Sequence, residues 1–148
     1  MRTLSIDLGS KRIGLAMSDA SGRFVSPVDV LTVSAVDHAI GPIVQMIERE
    51  SVQRVVLGLP LNMDDSIGPQ ARGVIAWAKK LREATPVPVI FVDERLSSFS
   101  AEQQLIDVKR AGAKMTRKNK KNALDAIAAC HFLQAFLDGQ LQAIEVGE

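Results

Sequence analysis

A chain of 148 residues that is 47% hydrophobic and 24% charged fits one compact domain with a buried core and excludes a disordered or fibrous chain. Its net charge of +1 hides an uneven distribution: Lys109 to Lys121 holds seven basic residues and no acidic one, leaving eleven basic against seventeen acidic elsewhere. No apolar run reaches the ~18 residues of a membrane span, and Cys130, the single cysteine, excludes a disulfide framework and a cysteine-based metal site.

The first sixteen residues, MRTLSIDLGSKRIGLA, read as two antiparallel strands, 3–8 and 13–18, joined by a tight turn at Gly9 and Ser10. Met1 leads straight into this hairpin, without the basic region, apolar segment and small-residue cleavage site of a secretory signal, so a cytoplasmic location is expected. Residues 23–33 predict a third strand, bent at Pro27. Ile40, Ile43, Val44 and Ile47 recur at helical spacing and predict a helix over 36–49, with Pro42 near its first turn. Gln53 to Leu57 predicts a central strand covered on both faces, ended by Gly58 and Pro60.

A polar loop from Pro60 to Gly68 leads into a helix with Ile67, Ala71, Val74, Ala78 and Leu81 on one stripe. Trp77 flanks that stripe and reads as the edge of the core rather than a base-stacking platform. Pro86 and Pro88 introduce VIFV (89–92), another buried strand. Ser97, Ser98 and Ser100 are candidate caps for a helix over 101–110, which Gly112 breaks. Residues 113–121 predict a mobile loop, Asn122 to Leu137 the last helix, and the residues from Asp138 a peripheral tail or a short extra strand. The order β-β-β-α-β-α-β-α-α predicts one α/β domain over 1–148. Its sheet is mixed and five-stranded, with helices on both faces and the two late strands parallel to the first.

Three carboxylates come from distant positions in this order. Asp7 ends the first strand, where a charge is costly unless hydrogen-bonded, paired or metal-bound. Asp93 and Glu94 end the last buried strand, and parallel strands would open all three at one carboxyl edge, the usual crevice of an open α/β sheet. Asp125 lies in the first turn or two of the last helix. A hard cation such as Mg²⁺ or Mn²⁺ takes a few carboxylates plus waters, and two such ions ~4 Å apart suit phosphodiester hydrolysis. Asp7, Glu94 and Asp125 are therefore the candidate catalytic and metal-binding set. Each has a plainer alternative: Asp7 stabilises a turn, Asp125 is an N-terminal helix charge, and one of Asp93 and Glu94 pairs with Arg95. His38 and His131 form no zinc spacing, and Cys130 reads as packing.

Four stretches carry a resemblance: IDLGSKRIGLAMSD (6–19), VVLGLPLNMDDSIGPQA (55–71), VDERLSSFSAEQQL (92–105) and KNALDAIAACHFLQAFL (121–137). Together with the spacing between them they span residues 6–137, almost the whole domain, and resemble the YqgF family of RuvX-like proteins, within the ribonuclease H-like superfamily. The resemblance implies a metal-dependent nuclease acting on structured nucleic acid, with a role in the final 5′-end maturation of small-subunit (pre-16S) ribosomal RNA. It places the first catalytic aspartate at Asp7, the acidic residue of the family's DER motif at Glu94, the helix carboxylate at Asp125 and the cleft-bordering loop at Gly58 to Asp64. Ser10 and the pair Ser97-Ser98 stand where the family carries threonines and keep the hydroxyls. Asp65 replaces a glycine, so its turn either takes a different conformation or carries an αL aspartate, and none of these departures removes a ligand.

Under that resemblance Lys11, Arg12 and Arg95 contact phosphate oxygens near the site. Their plainer readings are exposed turn residues for the first two and a partner of Asp93 for the third. Asn62 and Ser98 either orient substrate or cap local backbone. Lys114, Arg117, Lys118, Lys120 and Lys121 position the nucleic-acid backbone through sequence-independent contacts, or form an ordinary solvated segment. A Holliday junction resolvase acting on branched DNA shares this chemistry but needs two active sites, and no dimer face is legible, so a monomer or weak homodimer with no membrane contact is expected. Two other classes compete. IDLGSKRIG also resembles the phosphate loop of sugar kinases and actin-like proteins, but those place ATP between two domains, and no GxxxxGK[ST] or GxGxxG motif is present. A non-catalytic RNA-binding or transcription-associated factor would keep the fold and the basic segment.

Overall fold

Alternating apolar side chains in the first eighteen residues build a hairpin that seeds the sheet. Strand β1 (Thr3–Leu8) pairs antiparallel with β2 (Arg12–Ser18), Leu4 opposite Met17 and Asp7 opposite Gly14. The computed structural model describes residues 1–9, 11–64, 66–93, 117–141 and 143–144, with 117–126 described by their helical backbone alone. Strand β3 (Val25–Thr32) adds to the hairpin, and a register shift opposite Leu15 and Ala16 accommodates Pro27. A 3-10 turn (Val36–Ala39), α1 (Ile40–Arg49), β4 (Arg54–Leu59), α2 (Pro69–Ala84), β5 (Val89–Asp93) and α3 (Arg117–Leu137) follow. The five strands lie in the order β3-β2-β1-β4-β5, with β4 and β5 parallel to β1. No helix among the described residues is long and apolar enough to cross a membrane.

Two cores sandwich the sheet, as expected for helices on both faces. On one, Leu4, Ile6, Leu57 and Phe91 pack under Ile43 and Ile47 of α1 and Val74, Trp77 and Leu81 of α2. On the other, Ala16, Val56 and Val92 lie under Ala129, Phe132 and Leu133 of α3. Because successive side chains on a strand alternate faces, Ser5 and Asp7 of β1 belong to the α3 side.

Several boundaries differ from the sequence reading, each for a local reason. The helix expected over 36–49 opens as a 3-10 turn and becomes α-helical at Ile40. Ile67 is 40% exposed and precedes α2 instead of joining its stripe. Pro69 forces Gly68 into extended backbone, so the helix starts at the proline itself. Trp77 is inside the core, not at its edge: it is 2% exposed and its Nε1 donates to the Val36 carbonyl at 2.9 Å. The segment 117–121, expected as loop, is the first part of α3, since lysine and arginine lose little rotamer freedom in a helix. The chain after α3 does reach the sheet, where Ile144 makes one antiparallel bridge to Phe91. The helix expected over 101–110, its serine caps and Gly112 lie outside the described residues.

Candidate active site at the carboxyl edge of the sheet

Asp7 is half-buried one residue before the end of β1. Its cross-strand neighbour on β2 is Gly14. On β4, the register that pairs Ile6 with Leu57 brings Gly58 alongside it. Neither flanking strand therefore contributes a Cβ beside this carboxylate, and glycine inside a strand commonly marks close approach of a ligand or another backbone. An acidic oxygen between two glycines is a hard donor of the kind a divalent cation takes.

The helix above has a fixed direction. Ser5 Oγ donates to the Ala129 carbonyl at 2.8 Å. Arg54, at the start of β4, places its guanidinium 4.8 Å from the centroid of the Phe136 ring. Thus α3 runs antiparallel to β1 and β4, with its C-terminal end over their amino ends. Position 125 is one turn before Ala129, about 6 Å along the helix, and Asp7 is two residues beyond Ser5, about 7 Å along the strand. The backbone at position 125 consequently stands level with Asp7. Arg117 lies about 18 Å of helix from Ala129, against about 10 Å of β1 remaining beyond Ser5. The first turns of α3, with Arg117, Lys118, Lys120 and Lys121, therefore extend past the sheet edge.

This placement corrects one reading of Asp125. It is the ninth residue of α3, not a first-turn charge, so the helix dipole, which fades within a turn, does not account for it. Asp93 pairs in register with Leu59, whose side chain belongs to the α1–α2 core. It therefore stands on the face opposite Asp7. Glu94, Arg95, Ser98 and Lys114 lie outside the described residues, and among the described residues no three His, Cys, Asp or Glu side chains gather as a metal cluster.

The family described as "RuvX: Holliday junction resolvase" matches residues 1–139. The chain belongs to the RuvX family. A relative from Caldanaerobacter subterraneus is 40% identical over 140 residues, covering 95% of this chain and 98% of its own. Another, from Syntrophomonas wolfei, is 42% identical over 139 residues, covering 94% of this chain and 95% of its own. Both carry the name "Putative pre-16S rRNA nuclease". The fold is shared with T. thermophilus RuvC bound to a Holliday junction substrate (TM-score 0.60, 15% identity, 97% of this chain and 100% of that one). It is shared too with the Fowlpox virus resolvase bound to Holliday junction DNA (TM-score 0.54, 14% identity, 93% and 99%). These likenesses establish the ribonuclease H-like architecture.

Two loops of this RuvX chain border the Asp7 edge. In the first, Gly9 N donates to the Arg12 carbonyl at 2.9 Å, and a Cβ on Gly9 would lie 2.5 Å from that oxygen. Lys11 is exposed there and Arg12 half-buried. Gly9→Ala must open the turn, and thermal denaturation is expected to show a loss of about 1–3 kcal/mol. A loss within error of zero would mean that the turn relaxes freely. In the second loop, Asn62 Nδ2 donates to Ser66 Oγ at 2.9 Å and Asn62 N to the Ser66 carbonyl at 3.0 Å. Asp64 accepts from the Ser66 hydroxyl and amide, which hold its carboxyl below the usual range. The sequence reading gave Asp64 no part in this. Its signal was an Asp two residues before a Ser, the spacing of a side-chain turn.

On α3, burial pushes the Cys130 thiol up to about 11, consistent with packing and not nucleophilic chemistry. His131 is held below its usual value of 6.5 by desolvation, and its Nε2 is buried without a partner among the described residues. Below pH 6.5 the unfolded chain takes up a proton that the folded chain resists, so this histidine withdraws stability as the pH falls. His131→Leu is expected to flatten the decline in Tm between about pH 7.5 and 5. A decline as steep as that of the unmodified chain would assign the acid sensitivity elsewhere.

Proposed function

We propose that this chain is a divalent-cation-dependent nuclease that hydrolyses phosphodiester bonds during 5′-end maturation of pre-16S ribosomal RNA. The observation that carries the reading is membership of the RuvX family over residues 1–139, with relatives named for this activity matching nearly end to end. The site geometry supports it: the Asp7 carboxylate, flanked by glycines, lies level with position 125 of α3.

Asp7, Glu94 and Asp125 would hold Mg²⁺ or Mn²⁺, two ions in the favoured arrangement. Of the pair, the family's DER pattern supports Glu94 as the ligand. A divalent cation there supplies charge stabilisation and an activated water for in-line displacement at phosphorus. The residues of the chain bind and orient the substrate. Lys11, Arg12 and Arg95 neutralise phosphate oxygens beside the scissile bond, and Asn62 and Ser98 align the strand. Lys114, Arg117, Lys118, Lys120 and Lys121 grip the backbone further out, in a salt-dependent way. The products carry a 5′ phosphate and a 3′ hydroxyl. In this reading 1–148 is one catalytic domain working in the cytoplasm.

The description of the family as a Holliday junction resolvase favours a second reading, cleavage of branched DNA. One experiment separates the two: cleavage of a pre-16S RNA 5′ leader and of a four-way DNA junction, each with Mg²⁺, with Mn²⁺ and with a chelator. Metal-dependent cut ends on the RNA alone support the first reading, and paired symmetric incision of the junction supports the second. Tight binding of both with no cut in either would sink the nuclease assignment and leave a binding factor.

A further inference from the structure

Ser5 is fully buried in β1, between the large apolar residues Leu4 and Ile6. Its hydroxyl has two acceptors within reach, the Ala129 carbonyl of α3 at 2.8 Å and the Ala16 carbonyl of β2 at 3.3 Å. A hydroxyl carries one proton, and the shorter contact takes it. The bond joins residues 124 apart in sequence. It is made where both partners are small: Ala129 and Ala16 are themselves fully buried, so helix and sheet approach closely at this level. Apolar contacts of the kind made at Phe132 and Leu133 are non-directional and would tolerate a slide of the helix along the strands. A hydrogen bond does not tolerate such a slide.

We infer that Ser5 is a positioning residue that sets the height of α3 on β1, and through it the alignment of Asp125 with Asp7. The inference rests on the nuclease reading above. The lever is short: Asp125 is one turn from Ala129, and Asp7 is two residues from Ser5. A slide of the helix by about 1.5 Å, one residue's rise, shifts position 125 along β1, and a divalent cation that Asp7 and Asp125 would hold together tolerates little change in their spacing. The remaining acceptor needs of the Ala129 carbonyl are met inside the helix, so loss of the Ser5 proton leaves α3 folded but less firmly placed.

The test is Mn²⁺ binding followed by electron paramagnetic resonance, together with Tm, on the full chain and on Ser5→Ala, Ser5→Cys, Ser5→Thr and Asp7→Asn. Ser5→Ala and Ser5→Cys should weaken Mn²⁺ binding about 3- to 10-fold, the range that one hydrogen bond spans. Ser5→Thr, which keeps the hydroxyl, should recover most of that loss. Should the alanine variant not fold, the cysteine variant, close to serine in volume but a poor donor, carries the test. Wild-type Mn²⁺ affinity in Ser5→Ala or Ser5→Cys, whatever their Tm, overturns the inference, provided that Asp7→Asn loses the ion. If Asp7→Asn binds Mn²⁺ as tightly as the unmodified chain, the metal reading fails and the positioning role falls with it.

Discussion

Asp7→Asn should lower phosphodiester cleavage by about 10³-fold, several kcal/mol of lost charge stabilisation at phosphorus, with Tm unchanged or higher. The substitution keeps the shape of the side chain, removes its charge and turns one acceptor oxygen into an NH2 donor. Asp7 is half-buried between strands whose nearest positions are Gly14 and Gly58. A charge in such surroundings costs desolvation energy, and a chain spared that cost is more stable when the charge served chemistry and not folding. Activity and stability should therefore move in opposite directions, and single-turnover cleavage beside a melting curve reads both. Retention of more than a tenth of the activity would remove Asp7 from the chemistry. A large drop in Tm would return it to the role of a turn-stabilising aspartate.

Phe132→Ala is expected to cost about 3–5 kcal/mol and to loosen α3 on the sheet. Phe132 is fully buried, with Leu133, against Ala16, Val56 and Val92. Among the described residues, Phe132 is the one aromatic fully buried in this second core, with Phe136 and Leu137 partly buried against it. For a chain of this length that cost corresponds to a Tm lowered by roughly 8–15 °C. Hydrogen exchange in 127–137 should accelerate more than exchange in α2, because α2 packs on the opposite face. A loss below about 1 kcal/mol, or equal acceleration on both faces, would mean that α3 is held by something other than this core.

Local pattern carried much of this fold. The alternation around Ser5 and Asp7, the valines before Gly58 and the short VIFV run each sit within one strand, although the strand expected to end before Gly58 runs on through it to Leu59, because β5 pairs with it there. The carboxyl-edge position of Asp7 was legible for the same reason. What was hidden depends on contacts between distant segments. Trp77 is off its own helix's stripe and is buried because the 3-10 turn 41 residues earlier offers it a carbonyl. The helix that carries Asp125 is expected from Asn122, which puts this candidate ligand in its first turn or two, because a run of lysines and arginines looks like solvated loop, although those residues are good helix formers. Ser5 was missed because a serine in an apolar strand has no meaning until the carbonyl it meets is known. Its one sequence signal was a small polar residue at a position whose neighbours, Leu4 and Ile6, are large.

The treatment of the two outermost strands bears on self-association. Along β5, the outward carbonyl of Val89 accepts from the Arg82 guanidinium at 2.7 Å and that of Phe91 from Ile144 N at 2.7 Å. Along β3, Pro27 has no amide proton to offer, and Val30 N is taken at 2.7 Å by the carboxylate of Asp29 beside it. A newcomer strand meets consumed acceptors on one flank and a missing or diverted donor on the other. Copies of this chain crowded together are thereby steered away from ribbon-like stacking into fibrils, and any pairing of two molecules on a symmetric substrate has to use helices or loops instead.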